Sequence, residues 1–315
     1  MSLSILSTGS AVPERFVCND ELSKFLDTSD EWITSKTGIK TRAVCTAETL
    51  TDLSVKAAET AIKRAAIDPA LIDLCICSTI CGDFVMPSLA CAVIERLSLS
   101  CPAFDINAAC TGFVYALDIA AAYIAAGKAR YILIISADRM SAQVDWTDRN
   151  LCVLFGDGAG ACVVTAGDSL KYIHLTAKGD TTIIRQPAGT GNSPFAANPR
   201  LYDYFQMDGQ EVFKFAVSAV ERECSLAVSK TSARPIDFFI LHQANKRIID
   251  SVRKRMGESE SKFPVNIDKY GNTSSASVPI LLDEMNSDGR LKRGNILLIT
   301  AFGAGVTTGT CVIEW

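Results

Sequence analysis

Residues 105–127 read DINAACTGFVYALDIAAAYIAAG. A brief strand is predicted at 103–107, and the Ala-rich stretch that follows predicts a helix over 112–126. Gly127, Lys128 and Arg130 break the apolar run, and YILIIS at 131–136 predicts a second strand. Strand, helix, strand is the unit of an α/β layered architecture. The alternation extends both ways. Val55, Ala58, Ile62 and Ala66 recur at helical spacing and predict a helix over 53–66, with Asp52 as a cap near its start. The run 74–80 reads as a strand, 88–97 as a helix opened by Pro87, and 160–165 as a further strand.

After Gly167 the pattern restarts. Strands are predicted at 170–176, 237–241, 296–300 and 310–314, and helices at 209–228, 247–256 and 275–284. The two parts share a rough order of elements without a residue-level repeat, which places a boundary near residue 166 and divides the chain into 1–166 and 167–315. Residues 181–200 are rich in Gly, Pro and Asn and read as an irregular surface loop of the kind that lines a site.

Composition narrows the function classes. The 315 residues are 48% hydrophobic and 21% charged, which excludes wholesale disorder. With 31 basic against 35 acidic residues and a net charge of -4, a general nucleic-acid binder is disfavoured. No apolar run reaches the ~18 residues of a membrane span. The opening MSLSILSTGSAVPERF lacks a basic region and a long apolar core, so no secretory signal is read and a cytoplasmic protein is expected. Most of the twelve cysteines lie in apolar runs, as small hydrophobes do. Cys75, Cys77 and Cys81 fit a buried strand better than a metal site, so no metal is expected.

Cys110 stands apart, between a strand and a helix. A thiol at a helix N-terminus meets the positive end of the dipole, which predicts a lowered pKa and a nucleophile; a buried structural cysteine is the plainer reading. Of the two histidines, His174 lies mid-strand and reads as structural or surface. His242 follows the strand 238–241, at the carboxyl edge where α/β proteins present functional groups. Asn272, in KYGNTSSASVPILLDE, reads as a turn residue or as a donor to a developing oxyanion. The turn 303–305 reads either as a strand connection or as a source of oxyanion-binding N–H groups. Between Lys246 and Arg255, five basic residues (with Arg247, Arg253 and Lys254) face one acid, Asp250, as a docking patch or a solvated helix face.

Taken together, TSDEWITSKTGIKTR at 28–42, DINAACTGFVYAL at 105–117, TDRNLCVLFGDGAGACVV at 147–164, MDGQEVFKFAV at 207–217, HQANKRI at 242–248, GNTSSASVP at 271–279 and FGAGVTTG at 302–309 resemble the β-ketoacyl-acyl carrier protein synthase III family nearly end to end. The resemblance implies a thiolase-like fold, two similar α-β-α-β-α halves in five layers, and a homodimer. It implies a triad of Cys110, His242 and Asn272, and an oxyanion hole from the N–H groups of Cys110 and Ala304. It further implies loading of an acyl-CoA primer on Cys110, then decarboxylative condensation with malonyl-acyl carrier protein, with acyl-CoA as substrate and no cofactor. CoA and its pantetheine arm fall to Trp32, Lys36 (where Arg is usual), Arg149, Asn245 and Phe302. Lys214 and Arg247 match basic positions near the channel mouth, and with Lys254 and Arg255 of the basic stretch they are expected to dock the carrier protein. Met86 falls where one subunit closes the acyl pocket of the other, and Thr308 departs from the usual aromatic residue. The alternatives are a specialised relative using an unusual acyl donor, a Cys-His-Asn thioester hydrolase that releases free acid, and a non-catalytic carrier-binding relative, which the complete triad disfavours.

Overall fold

A computed structural model describes residues 2–189, 194–195, 203–231 and 235–315. Its framework is two mixed sheets. The first runs Ser2–Ala11, Asp157–Gly167, Tyr131–Arg139, Ile72–Ser78, Ala103–Ile106; its first two pairings are antiparallel and its last two parallel. The second runs Leu170–Asp180, Gly305–Glu314, Ile296–Gly303, Phe238–Leu241, paired antiparallel, antiparallel and parallel. Order and direction match, except that among the described residues the second sheet has no counterpart of the fifth strand. Asn272, ahead of the helix Ser277–Ser287, makes an isolated parallel bridge to Phe155 of the first half.

Three apolar cores separate five layers. Between the sheets lie the helices Gly112–Ala125 and Ser277–Ser287, in a core drawn from both sheets that includes Leu3, Ile134, Leu117, Leu282, Leu297 and Cys311. Outside the first sheet, Leu50–Ala65 and Leu89–Arg96 pack through Leu53, Ala57, Ala90 and Val93 against Cys77, Leu133 and Val163. Outside the second, Gly209–Lys230 and Lys246–Met256 pack through Val220 and Ile248 against Leu298 and Val312. The strands read as near-continuous apolar runs because both faces are covered. In Asp157–Gly167, Cys162 and Val164 face the inner core while Ala161 and Val163 face the outer one. Gly160 belongs to this packing: a Cβ there would come within 2.7 Å of the Pro279 side chain.

Helix 112–126 is apolar nearly all round because it is buried on several sides. The helix predicted from residue 53 begins at Leu50. Thr49 caps it, and Asp52 completes a reciprocal box with Thr49 instead of capping alone. The helix read from 275 starts at Ser277, after a tight turn at Ser274–Ala276. The strand Ser2–Ala11 is a feature the sequence reading did not assign. Part of the 181–200 loop lies outside the described residues; within the rest, Ile184–Arg185 pairs with Gln206–Met207. Among the described residues no helix is long and apolar enough to cross a membrane. All twelve cysteines are free.

Candidate active site

The chain reaches the first inner helix through Ala109, at φ 47°, and a tight turn at Ala109–Thr111 that carries Cys110. An L-residue in this left-handed region is strained by roughly 1–2 kcal/mol, and such strain gathers where a side chain must be aimed. Cys110 opens on a cavity of about 1060 Å³, also lined by His242, Asn272, Ser274, Phe302 and Ala304. The second sheet supplies the opposite wall. His242 follows the strand Phe238–Leu241, its N–H bonded to Thr300 O at 2.9 Å and its ring edge-on to Phe302 at 5.4 Å.

Local hydrogen bonds orient two of the groups that share the cavity with the sulfur. The Asn272 Oδ1 accepts the Ser274 N–H at 2.9 Å, which turns the amide so that Nδ2 is left to donate elsewhere. The His242 Nδ1 lies 2.6 Å from Ser277 Oγ, while its Nε2 has no hydrogen bond to a described residue. Burial holds the His242 pKa down to about 3, so the ring is neutral across the physiological range. The Ser274 hydroxyl stands 3.4 Å from the Cys110 sulfur.

The thiol contradicts the sequence expectation. Burial pushes the Cys110 pKa up to about 12, with the nearby Asp138 adding to the rise and the Ser274 hydroxyl opposing it. The α-helix itself starts only at Gly112, so the sulfur lies before its first turn and desolvation outweighs the dipole. The resting pair is therefore a thiol and a neutral imidazole. Asp138 is itself buried, with its pKa raised by desolvation. It accepts from Ile80 N–H at 2.9 Å in the first half, and from Ser275 Oγ at 2.7 Å in the second, tying the two walls of the site together.

The turn at 303–305 connects the strands Ile296–Gly303 and Gly305–Glu314, and it also reaches the sulfur. A Cβ at Gly303 would lie 2.9 Å from the Cys110 backbone nitrogen. Only glycine permits that approach, which seats Ala304 on the cavity wall beside Cys110.

Trp32, Lys36, Asn245 and Phe302 line the same cavity. Arg149 stacks directly on Trp32, its guanidinium 5.4 Å from the ring centroid, and is bonded to Asp27 Oδ2 at 2.9 Å. The two side chains, both expected to hold CoA, are therefore closed on each other here, because no flat ring fits in that separation. Lys214, Lys254 and Arg255 line a separate shallow groove of about 410 Å³ between the helices Gly209–Lys230 and Lys246–Met256. Phe213 borders both groove and cavity, and Arg247 lies over its ring at 5.4 Å. Met86 is outside the cavity of its own chain, in an exposed run with Phe84 and Val85. Thr308 is buried and bonded to Thr176 on the adjoining strand at 2.5 Å. His174 is bonded to the buried Glu223 at 2.8 Å, away from the site. Cys75 and Cys77 are buried in the strand Ile72–Ser78, while Cys81 accepts the Arg139 N–H at 3.0 Å. Sequence reasoning missed Ser274 and Ser277. Nothing in the sequence singled the serines out, and only the fold sets them against the sulfur and the ring.

Residues 104–180 match the family described as 3-oxoacyl-acyl-carrier-protein synthase III, and residues 226–315 match its C-terminal part. A β-ketoacyl-acyl-carrier-protein synthase III of Campylobacter concisus is 42% identical, over 99% of this chain and 96% of the relative. The crystal structure of the Aquifex aeolicus 3-oxoacyl-acyl-carrier-protein synthase III superposes with a TM-score of 0.92 at 41% identity, over 99% of this chain and 100% of that one. A priming β-ketosynthase from a polyketide pathway superposes equally well, at 0.92 and 33% identity, over 99% and 96%. The chain has the thiolase-like fold of these enzymes, and it belongs to the β-ketoacyl-acyl carrier protein synthase III family, the condensing acyltransferases of fatty-acid synthesis.

Proposed function

We propose that this site loads an acyl group from acyl-CoA onto Cys110 and condenses it with malonyl-acyl carrier protein. The observation that carries the reading is the convergence of a sulfur, a neutral imidazole and an amide, those of Cys110, His242 and Asn272, on one cavity. In the first half-reaction the Cys110 sulfur attacks the thioester carbonyl, its S–H proton leaves with CoA as the free thiol, and the developing oxyanion meets the N–H groups of Cys110 and Ala304. In the second, the malonyl carbon–carboxylate bond breaks, CO2 departs, and the electron pair moves to a thioester oxygen held by Nε2–H of His242 and Nδ2–H of Asn272. The resulting carbanion attacks the acyl-Cys110 carbonyl, the C–S bond breaks, and the sulfur regains one proton as 3-oxoacyl-acyl carrier protein forms. Two neutral donors suit this step, since an imidazolium would tend to protonate the enolate before it could attack.

Trp32, Lys36, Arg149, Asn245 and Phe302 would hold CoA and pantetheine, with Arg149 leaving Trp32 to admit the adenine. Lys keeps the charge at 36 but offers no planar guanidinium. The groove of Lys214, Lys254 and Arg255, with Arg247 at its edge, would receive the acidic carrier protein. The exposed run of Phe84, Val85 and Met86 supports a homodimer in which Met86 closes the partner's acyl pocket. The enzyme would work in the cytoplasm without a cofactor. The similarity to a polyketide priming synthase keeps a specialised donor as the second reading.

Intact-mass measurement after incubation with acetyl-, isobutyryl- and longer acyl-CoAs tests the assignment. An adduct on the wild type, absent in Cys110→Ala and discharged by malonyl-acyl carrier protein, is expected, and the favoured primer separates the two readings. Release of free acid with no condensed product would instead identify a hydrolase.

A further inference from the structure

We propose that Ser277 is a positioning residue of this site: its hydroxyl donates to Nδ1 of His242 and so fixes the ring proton on Nε2, a role that rests on the condensing reading above. The argument is an accounting of protons. The Ser277 Oγ lies 2.6 Å from Nδ1 and also receives the Gln243 N–H at 3.3 Å. A hydroxyl has one proton to give and two lone pairs to offer. The Gln243 N–H can only donate, so it occupies one lone pair. Were Nδ1 also a donor, Ser277 would receive two N–H groups and its own proton would have no acceptor among the described residues. With Nδ1 as acceptor every group is satisfied, and a buried site favours the arrangement that leaves none unpaired. Ser277 is itself 2% exposed, so water does not provide an alternative acceptor.

The position follows from the fold. Ser277 is the first residue of the inner helix that starts just after Asn272 and Ser274, and the strand ending at Leu241 delivers His242 beside it. One turn of chain thus carries Asn272 as a donor toward the substrate and Ser277 as the group that orients the second donor. A ring with its proton on Nδ1 would present a lone pair to the thioester oxygen and would repel the enolate. Fixing the tautomer through the far nitrogen is a recurrent use of a second partner on histidine.

The chain has two histidines, so selective 15N labelling gives two imidazoles, and a His174→Asn variant assigns them. In the free wild-type enzyme at pH 7, His242 should show a pyridine-type Nδ1 and a protonated Nε2. In Ser277→Ala the ring should exchange between tautomers. Release of CO2 from malonyl-acyl carrier protein should fall about tenfold, the loss of one neutral hydrogen bond, while loading of Cys110 stays within about twofold. Ser277→Thr should restore both the spectrum and the rate. An Nδ1–H ring in the wild type, or an unchanged tautomer in Ser277→Ala, overturns the proposal. Equal loss in both half-reactions also overturns it by marking a packing role. A wild type that releases no CO2 would instead defeat the condensing reading, and the spectrum would still decide the tautomer.

Discussion

In the first half the chain reaches its inner helix through Ala109 at φ 47°, and in the second through Ser274 at φ 53°; both are followed by a single tight turn. The backbone device is shared, and the cargo differs. The first turn presents a sulfur. The second is preceded by an amide, Asn272, and is flanked by a ring, His242, at the end of a neighbouring strand. At the corresponding strand end of the first half stands Thr79, whose hydroxyl donates to Asp138 at 3.2 Å. The fifth strand that leads to Cys110 has no counterpart among the described residues of the second sheet, and Asn272 instead bridges across to Phe155 of the first half. The scaffold therefore decides where a side chain stands, and residue identity decides what chemistry it can offer there.

Mutations confined to one turn or the other should separate the two half-reactions. Cys110→Ala is expected to lower condensation by about 10⁴-fold or more while leaving decarboxylation of malonyl-acyl carrier protein measurable, as followed by product mass and CO2 release. His242→Ala and Asn272→Ala should each lower decarboxylation by about 10²–10³-fold, the usual loss on removing an oxyanion donor, and spare loading within about tenfold. If either variant blocked loading as strongly as Cys110→Ala, the division of labour between the halves would fail. Gly303→Ala acts on the first turn alone. Its Cβ must push against the Cys110 nitrogen, so loading should slow by about tenfold with decarboxylation little changed.

Acid sharpens the comparison with the smallest effect. His242 has a folded pKa near 3 against an ordinary value of about 6.5, so the unfolded chain binds the extra proton first as pH falls. Stability is thus lost on acidification between about pH 6.5 and pH 3. The raised carboxyls of Asp138 and Asp157 work oppositely, weakening the fold as pH rises above about 3.8. Denaturant melts of wild type and His242→Gln isolate the histidine. From pH 7 to pH 5 the wild type should lose about 2 kcal/mol more than the variant. Equal slopes would mean that the ring is not held neutral by burial.

The layered α/β plan was legible because strands buried on both faces read as apolar runs and the inner helices as Ala-rich segments. The strand Ser2–Ala11 was not, because its alternation of Ser with Leu3 and Ile5 breaks at Leu6 and gives way to small polar residues. The motifs picked out Cys110, His242 and Asn272, and the fold sets all three on one cavity. The thiol's protonation was not legible, because a helix dipole can be read from sequence whereas desolvation depends on residues such as Asp138 and Ser274 that arrive from far along the chain. Ser277 was hidden for the same reason: 35 positions separate it from the ring it touches. The closed pair of Trp32 and Arg149 likewise depends on Asp27, which no motif links to either.

The core between the sheets belongs to neither half. Leu117 and Ile134 from one side and Leu282 and Leu297 from the other are members of a single apolar cluster. Removing either half would leave the other with a bare hydrophobic face as wide as a sheet. The repeated halves are thus not transplantable modules, and the molecule should melt as one cooperative unit. A lesion in either inner helix is therefore felt by both walls of the cavity.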